Sequence, residues 1–141
     1  MLLGSDGSRA ALKAAAYAAS LLQHVPDATV SVVYVRSEAG ASMGLGGQSA
    51  AARPRLTRQL SQAEQEVLER SSAPFARAGI AVSARVESGP PGQRLCTLAA
   101  DERADLLVIG SRGHTELKAL LLGSVSAQVV HGAPCPVLVV H

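Results

Sequence analysis

The chain has 141 residues, 48% of them hydrophobic and 17% charged, which fits one domain with a real apolar core and excludes an intrinsically disordered chain. Aromatic residues make up only 2%, so stacking platforms for single-stranded nucleic acid are not expected. A net charge of +2 is too small an excess to indicate DNA or RNA binding.

Leu2 to Gly4 reads as a short apolar strand. Ser5-Asp6-Gly7-Ser8 is a turn, with Ser8 placed to cap a helix. Leu12, Ala15, Ala19 and Leu22 then recur at helical spacing on an Ala-rich face. Thr29 to Val35 is a β-branched strand. The Gly-rich stretch at about 37–52 has no periodicity and reads as a mobile loop. Leu56, Leu60, Ala63 and Val67 mark the buried face expected of a second helix, with Pro74 kinking or ending it and Gly79 as its stop.

Ile80, Val82, Ala84 and Val86 alternate as a half-buried third strand, followed by a Pro/Gly turn from Ser88 to Gly92. Leu95, Leu98 and Ala99 face a third helix inward. Leu106 to Ile109 is apolar throughout, as a strand covered on both faces would be. A long loop leads to a helix from Ser124 to His131, and Val137 to Val140 closes as a strand. The alternation predicts an open parallel five-stranded sheet with helices on both faces. Such sheets bind ligands beyond the carboxyl ends of their strands, where strand order reverses.

No apolar run is long enough to cross a membrane, and no basic-then-apolar leader with a cleavage site opens the chain. Cys96 and Cys135 lack the spacing of a zinc site or redox pair and read as reduced, structural thiols. A cytoplasmic location is expected. His24 and His131 read as surface residues and Tyr34 as core.

The loop after the fourth strand carries the chemistry. Gly110-Ser111-Arg112-Gly113 is followed by nine residues and then Gly123-Ser124. Glycines after a strand let backbone N–H groups converge on an anion, and a helix starting at Ser124 favours phosphate. Gly113 is expected to provide phosphate space and a positive φ. Ser124 and Ser126 add hydroxyl donors, and Arg112, His114 and Lys118 outweigh Glu116. No Lys follows Gly123-Ser124, so this is not a Walker A loop, and the dinucleotide fingerprint is absent.

This compound signature resembles that of the ATP-binding universal stress proteins. The run from Ala104 to Val140 is similar to that family throughout, and the segments Ser5–Ser8 and Val32–Val35 match its first two strand ends. The resemblance implies a Rossmann-like sheet in the order 3-2-1-4-5, of the adenine-nucleotide α-hydrolase type, with an ATP site between strands one and four. It implies that Asp6 lies near the nucleotide and any Mg²⁺, and that the backbone of Val35 contacts adenine. It places Gly110, Gly113, Gly123 and Ser124 at the phosphates and ribose, with Ser111, Arg112, Val125 and Ser126 flanking them.

The resemblance also implies a homodimer through the apolar last strand. Two departures stand out: the first strand is short, and Ser5 occupies a position where an apolar residue is common. The function expected is a nucleotide-dependent regulatory or protective protein. A slow ATP hydrolase or phosphotransferase is one alternative. A dimeric scaffold that no longer binds ATP is another.

Overall fold

The computed structural model describes residues 1–37, 53–113 and 122–141, with the helical backbone alone for 53–60. The loop predicted at 37–52 therefore falls outside the described residues except for Ser37, as do His114, Glu116 and Lys118. The strands are β1 (Leu2–Gly4), β2 (Thr29–Arg36), β3 (Ala81–Ser88), β4 (Leu107–Gly110) and β5 (Val137–Val140). The helices are α1 (Arg9–Leu22), α2 (Arg53–Arg77), α3 (Pro91–Asp101) and α4 (Ser124–Gly132).

All strand pairs are parallel, in the order β3-β2-β1-β4-β5. The first strand is as short as its sequence indicates, yet it is central. Leu3 faces Val32 on one side and Val108 on the other. Strand parity sorts the core into two layers. Leu3, Val32 and Val108 pack with Ala14, Ala15, Ala18 and Ala19 of α1 and Phe75 of α2. Leu2, Val33, Leu107 and Ile109 pack with Leu95, Leu98 and Ala99 of α3 and Val129 of α4. The small side chains of α1 let it lie close to the sheet: a Cβ on Gly110 would stand 2.6 Å from the Ala11 nitrogen. Both cysteines pack at the rim of the second layer, where burial raises the Cys96 thiol pKa and Cys135 adds a smaller push.

The second helix departs from its predicted face. Val67 is half-buried as expected but Ala63 is exposed, the side chains of Leu56 and Leu60 lie outside the described residues, and the described buried or half-buried positions are Glu64, Val67, Leu68, Ser71, Ser72, Ala73, Pro74 and Phe75. Two buried polar residues within this face explain why apolar spacing missed it. Pro74 does not end α2, which runs on to Arg77. It stands so close to the C-terminus that it removes a single late hydrogen bond, and Phe75 beside it is fully buried.

The helix stops where Gly79 takes φ +71°. There Ile80 N–H donates to Phe75 O at 3.0 Å and Gly79 N–H to Ala76 O at 3.1 Å, a Schellman termination closed by the contact of Ile80 with Phe75. The third helix ends the same way with a different residue. Ala104 N–H donates to Ala99 O, Arg103 N–H donates to Ala100 O, and Arg103 itself adopts φ +49°.

The fourth helix and last strand match their sequence boundaries closely. In β3, Val82 and Val86 are half-buried as expected, but Ala84 is exposed, in keeping with an edge strand. Pro91 and Gly92, predicted as turn, form the first residues of α3, with Pro91 where its missing N–H costs nothing.

Candidate functional site

Strand order reverses at β1, whose neighbours lead to connections on opposite faces of the sheet. A crevice of about 490 Å³ opens there, beyond the carboxyl ends of β1, β2 and β4. Its size lies in the range of small-molecule sites. Nine of the ten residues singled out in the sequence line it: Asp6, Val35, Gly110, Arg112, Gly113, Gly123, Ser124, Val125 and Ser126. Ser111 is buried beside it instead, 1% exposed.

One wall is apolar, formed by Val33, Val35, Ile109, Pro91, Leu95 and Val125. Sequence spacing missed Val33, Ile109, Pro91 and Leu95. The signal was present in the strands: Val33 shares the face of Val35, two residues away. Pro91 and Leu95 reach the site only because α3 packs over that face, which no local pattern encodes.

The opposite wall is polar and is built by two turns that meet. In the first, Ser8 N–H donates to Asp6 Oδ1 at 2.9 Å, and Gly7 N–H donates to Ser5 Oγ at 3.3 Å. These bonds fold residues 5–8 into a tight turn, with Gly7 at φ +77°. Ser8 Oγ caps α1 by accepting from Ala11 N–H at 3.3 Å, as expected, and donates to Arg112 O at 3.2 Å. That second bond ties the start of α1 to the turn after β4.

In the second turn, Ser111 N–H donates to Val140 O at 2.7 Å, and Gly123 N–H donates to Ser111 O at 2.8 Å. Ser126 Oγ–H is shared between the carbonyls of Gly110, at 2.8 Å, and Ser111, at 3.1 Å. Ser126 is thus not an available donor for phosphate as expected; its hydroxyl pins α4 to the end of β4. Gly123 is the N-cap of α4 and supplies no side-chain bond to the first turn, so the helix N-terminus faces the crevice without a side-chain cap.

The glycines of the signature do different things. Gly110 is needed for the close approach of α1, where an added Cβ would meet backbone. At Gly113 an added Cβ would stand 2.5 Å from Asp6 Oδ2, so the carboxylate would have to shift, and its φ is not positive, contrary to expectation. Gly123 has φ −71°, and among the described residues the nearest atom to an added Cβ is 3.5 Å away, so neither its φ nor the described packing requires a glycine there.

Charges in the lining are one acid, Asp6, and one base, Arg112, among the described residues. Tyr34 lies on the other face of β2. Burial first, then the Glu64 and Asp6 carboxylates, raises its phenol above the ordinary pKa, with Arg36 opposing. Among the described residues, no group of three or more His, Cys, Asp or Glu side chains converges as a metal site. No described helix is long and apolar enough to cross a membrane.

An open parallel sheet flanked by helices, with a half-apolar and half-polar crevice at its switch point, defines a doubly wound α/β protein. The family model of the universal stress proteins matches residues 1–141, and the chain belongs to that family.

Universal stress protein MJ0531 of Methanocaldococcus jannaschii is 31% identical over 140 residues, covering 99% of this chain and 80% of its own length. A universal stress protein of Thermus aquaticus is 47% identical over 53 residues, 38% of this chain and 39% of that relative. The solved structure of M. jannaschii MJ0577 superposes with a TM-score of 0.85 at 26% identity, over 99% of this chain and 92% of the other. A universal stress protein solved in complex with cAMP superposes with a TM-score of 0.65 at 27% identity, over 99% and 94%.

Proposed function

We propose that the protein binds ATP in this crevice, with Mg²⁺ carried on the phosphates, and acts as a nucleotide-dependent regulatory protein of the cytoplasm. The observation that carries this is the convergence of an apolar wall and the N-terminus of α4 on one 490 Å³ space. A flat purine suits the wall of Val33, Val35, Pro91 and Leu95, and at Val35, where β2 runs past the end of β1, backbone groups are offered to the base. Phosphates suit the first turn of α4, where N–H groups and the helix dipole favour negative charge. Arg112 adds a cation, Ser124 a hydroxyl, and Gly113 the room that a side chain would fill. Asp6 is the carboxylate suited to the metal. The cAMP complex of a 27% identical neighbour supports an adenine nucleotide as the ligand class.

Binding rather than turnover is the favoured role. Rapid phosphoryl transfer needs a positioned base or a charge clamp at the leaving group. The described lining supplies one carboxylate, already engaged by Ser8 N–H, and one guanidinium. The protein also pairs with a second copy through β5. That strand is an edge, its four residues are apolar and half-buried, and an unpaired ladder favours pairing about a two-fold axis.

Calorimetry on nucleotide-free protein tests the site. ATP with Mg²⁺ should bind and NADH should not. Ser124→Ala should weaken binding by roughly 1–3 kcal/mol, the worth of a hydrogen bond to a charged group. No heat of binding with any adenine nucleotide would reject the reading. Phosphate release at about 1 s⁻¹ or faster, an ordinary enzyme rate, would make it an enzyme instead.

A further inference from the structure

The turn that carries Asp6 is gripped from behind as well as from the crevice side. Behind it runs α2. Ser5 Oγ and Ser71 Oγ lie 2.7 Å apart, and both residues are buried. Val67 presses on the same turn: a Cβ on Gly7 would stand 2.7 Å from Val67 Cγ2. One helical turn earlier, Glu64 accepts from both Nε and Nη2 of Arg36 at 2.7 Å each, holding α2 to the end of β2. Glu64, Val67 and Ser71 thus form one docking face directed at the carboxyl ends of β1 and β2.

We propose that Ser71 and Val67 are positioning residues for the nucleotide site, so that the seating of α2 and the placement of the Asp6 carboxylate are one coupled unit. This rests on the nucleotide reading above. Neither residue lines the crevice. They act through the Ser5–Gly7 turn. The Ser5 hydroxyl accepts from Gly7 N–H while paired with Ser71, so the serine pair fixes both the course of the turn and its distance from α2. An apolar residue at position 5 would pack against α2 without any such orientation. On the crevice side the same turn has little slack, with Gly113 against Asp6 and Arg112 O on Ser8 Oγ. A ligand that fixes Asp6 must then steady α2, and by linkage a well-seated α2 must favour the ligand equally.

Backbone hydrogen exchange on the wild-type protein, with and without saturating Mg-ATP, tests this beside calorimetry of Ser71→Ala. Ligand should slow exchange of the amides from Glu64 to Ser71 at least threefold more than those of the C-terminal half of α1, which lies away from the turn. Ser71→Ala should weaken binding about three- to tenfold, the loss expected for one hydrogen bond. Adding Ser5→Ala should cost less than the sum of the two single changes, because they share one pair, although Ser5 also gives up its bond from Gly7 N–H. If Ser71→Ala fails to fold, the wild-type exchange pattern decides alone. Wild-type binding without selective protection of α2, or undiminished binding by a folded Ser71→Ala protein, overturns the proposal. Failure of the wild type to bind any nucleotide removes the nucleotide reading itself, and this coupling with it.

Discussion

Gly113 and Asp6 face each other so closely that a single methyl group on the glycine would stand 2.5 Å from Oδ2 of the aspartate. The turn after β1 and the turn after β4 are therefore fitted against one another before any ligand arrives. Gly113→Ala should displace the Asp6 carboxylate and weaken nucleotide binding, and Gly113→Val should abolish it. Gly123→Ala is the informative partner, because the described residues leave room for that methyl group. It should melt within about 2 °C of wild type, a stability change below about 0.5 kcal/mol. Any larger loss of ATP affinity in calorimetry then measures the space that the ligand needs.

Gly110→Ala should act on the fold. The added methyl would sit 2.6 Å from the Ala11 nitrogen and 2.7 Å from the Ala10 carbonyl carbon, both backbone atoms that cannot rotate away. Overpacking of this kind costs roughly 1–3 kcal/mol. Chemical denaturation should show a lower midpoint with an unchanged slope, and an unchanged midpoint would mean that α1 can retreat from β4.

Arg103→Gly should stabilise the protein. Arg103 ends α3 at φ +49°, a conformation that costs an L-residue roughly 1–2 kcal/mol. Glycine adopts it freely but loses about 0.5–1 kcal/mol of that gain to its own flexibility in the unfolded chain. A net rise of about 0.5–1 kcal/mol, or roughly 2–4 °C in Tm, is expected in a thermal melt. A fall would show that the arginine side chain contributes more than its backbone costs.

The charge network over α3 sets an acid limit. Glu87 accepts from Arg94 at 2.8 Å and from Arg85 at 2.9 Å, and Arg85 also pairs with Glu102. Hydrogen bonding by Arg94 first, then Arg85, lowers the Glu87 pKa. A carboxyl whose folded pKa is depressed contributes stability that is fully present above its unfolded pKa, about 4.3, and lost as pH falls through the folded value. Glu87 is partly exposed, so solvent screening keeps the contribution small. Glu87→Gln should be less stable than wild type at pH 7, and the gap should narrow as pH falls below the unfolded value. A gap that does not narrow on acidification would assign the loss to packing rather than charge.

Legibility in the sequence followed the range of the interactions. The spacing of Gly110, Gly113, Gly123 and Ser124 is local, and all four residues line the crevice. The alternation of apolar strands with helices made the parallel sheet readable, whereas the central position of a three-residue β1 came only from the family resemblance. The seat of α2 was not. Its face is set by Glu64 with Arg36, 28 residues away, and by Ser71 with Ser5, 66 residues away, so polar residues occupy positions that periodicity assigns to solvent. Roles within the signature were equally hidden. Ser126 looks like a donor to phosphate until its hydroxyl is found on two carbonyls, and Gly110 looks like a ligand glycine until α1 is found against it.

Val139→Pro tests the pairing of β5 with a second copy. Leu107 N–H donates to Pro136 O, and Ser111 N–H donates to Val140 O. With the two-residue repeat of a parallel ladder, the even-numbered residues of β5 turn their backbone groups toward β4, and Val137 and Val139 turn theirs outward. Proline at 139 therefore removes an outward donor and spares the ladder to β4, as edge prolines do. Light scattering at tens of micromolar should report a dimer for wild type and a folded monomer for the variant. A monomeric wild type, or a dimeric variant, would place the contact elsewhere.

The two borders of the sheet are unlike. At β5 the side chains are Val, Leu, Val and Val; at β3 the alternate side chains Ser83, Arg85 and Glu87 point to the α3 side, and the last two are held there by ion pairs. Charged residues directed inward at a border strand hinder a second sheet from docking. Growth by sheet extension is thus open in one direction only. Were two copies to meet through β5, both remaining borders would be the guarded kind, and sheet extension would stop at a closed pair instead of a filament.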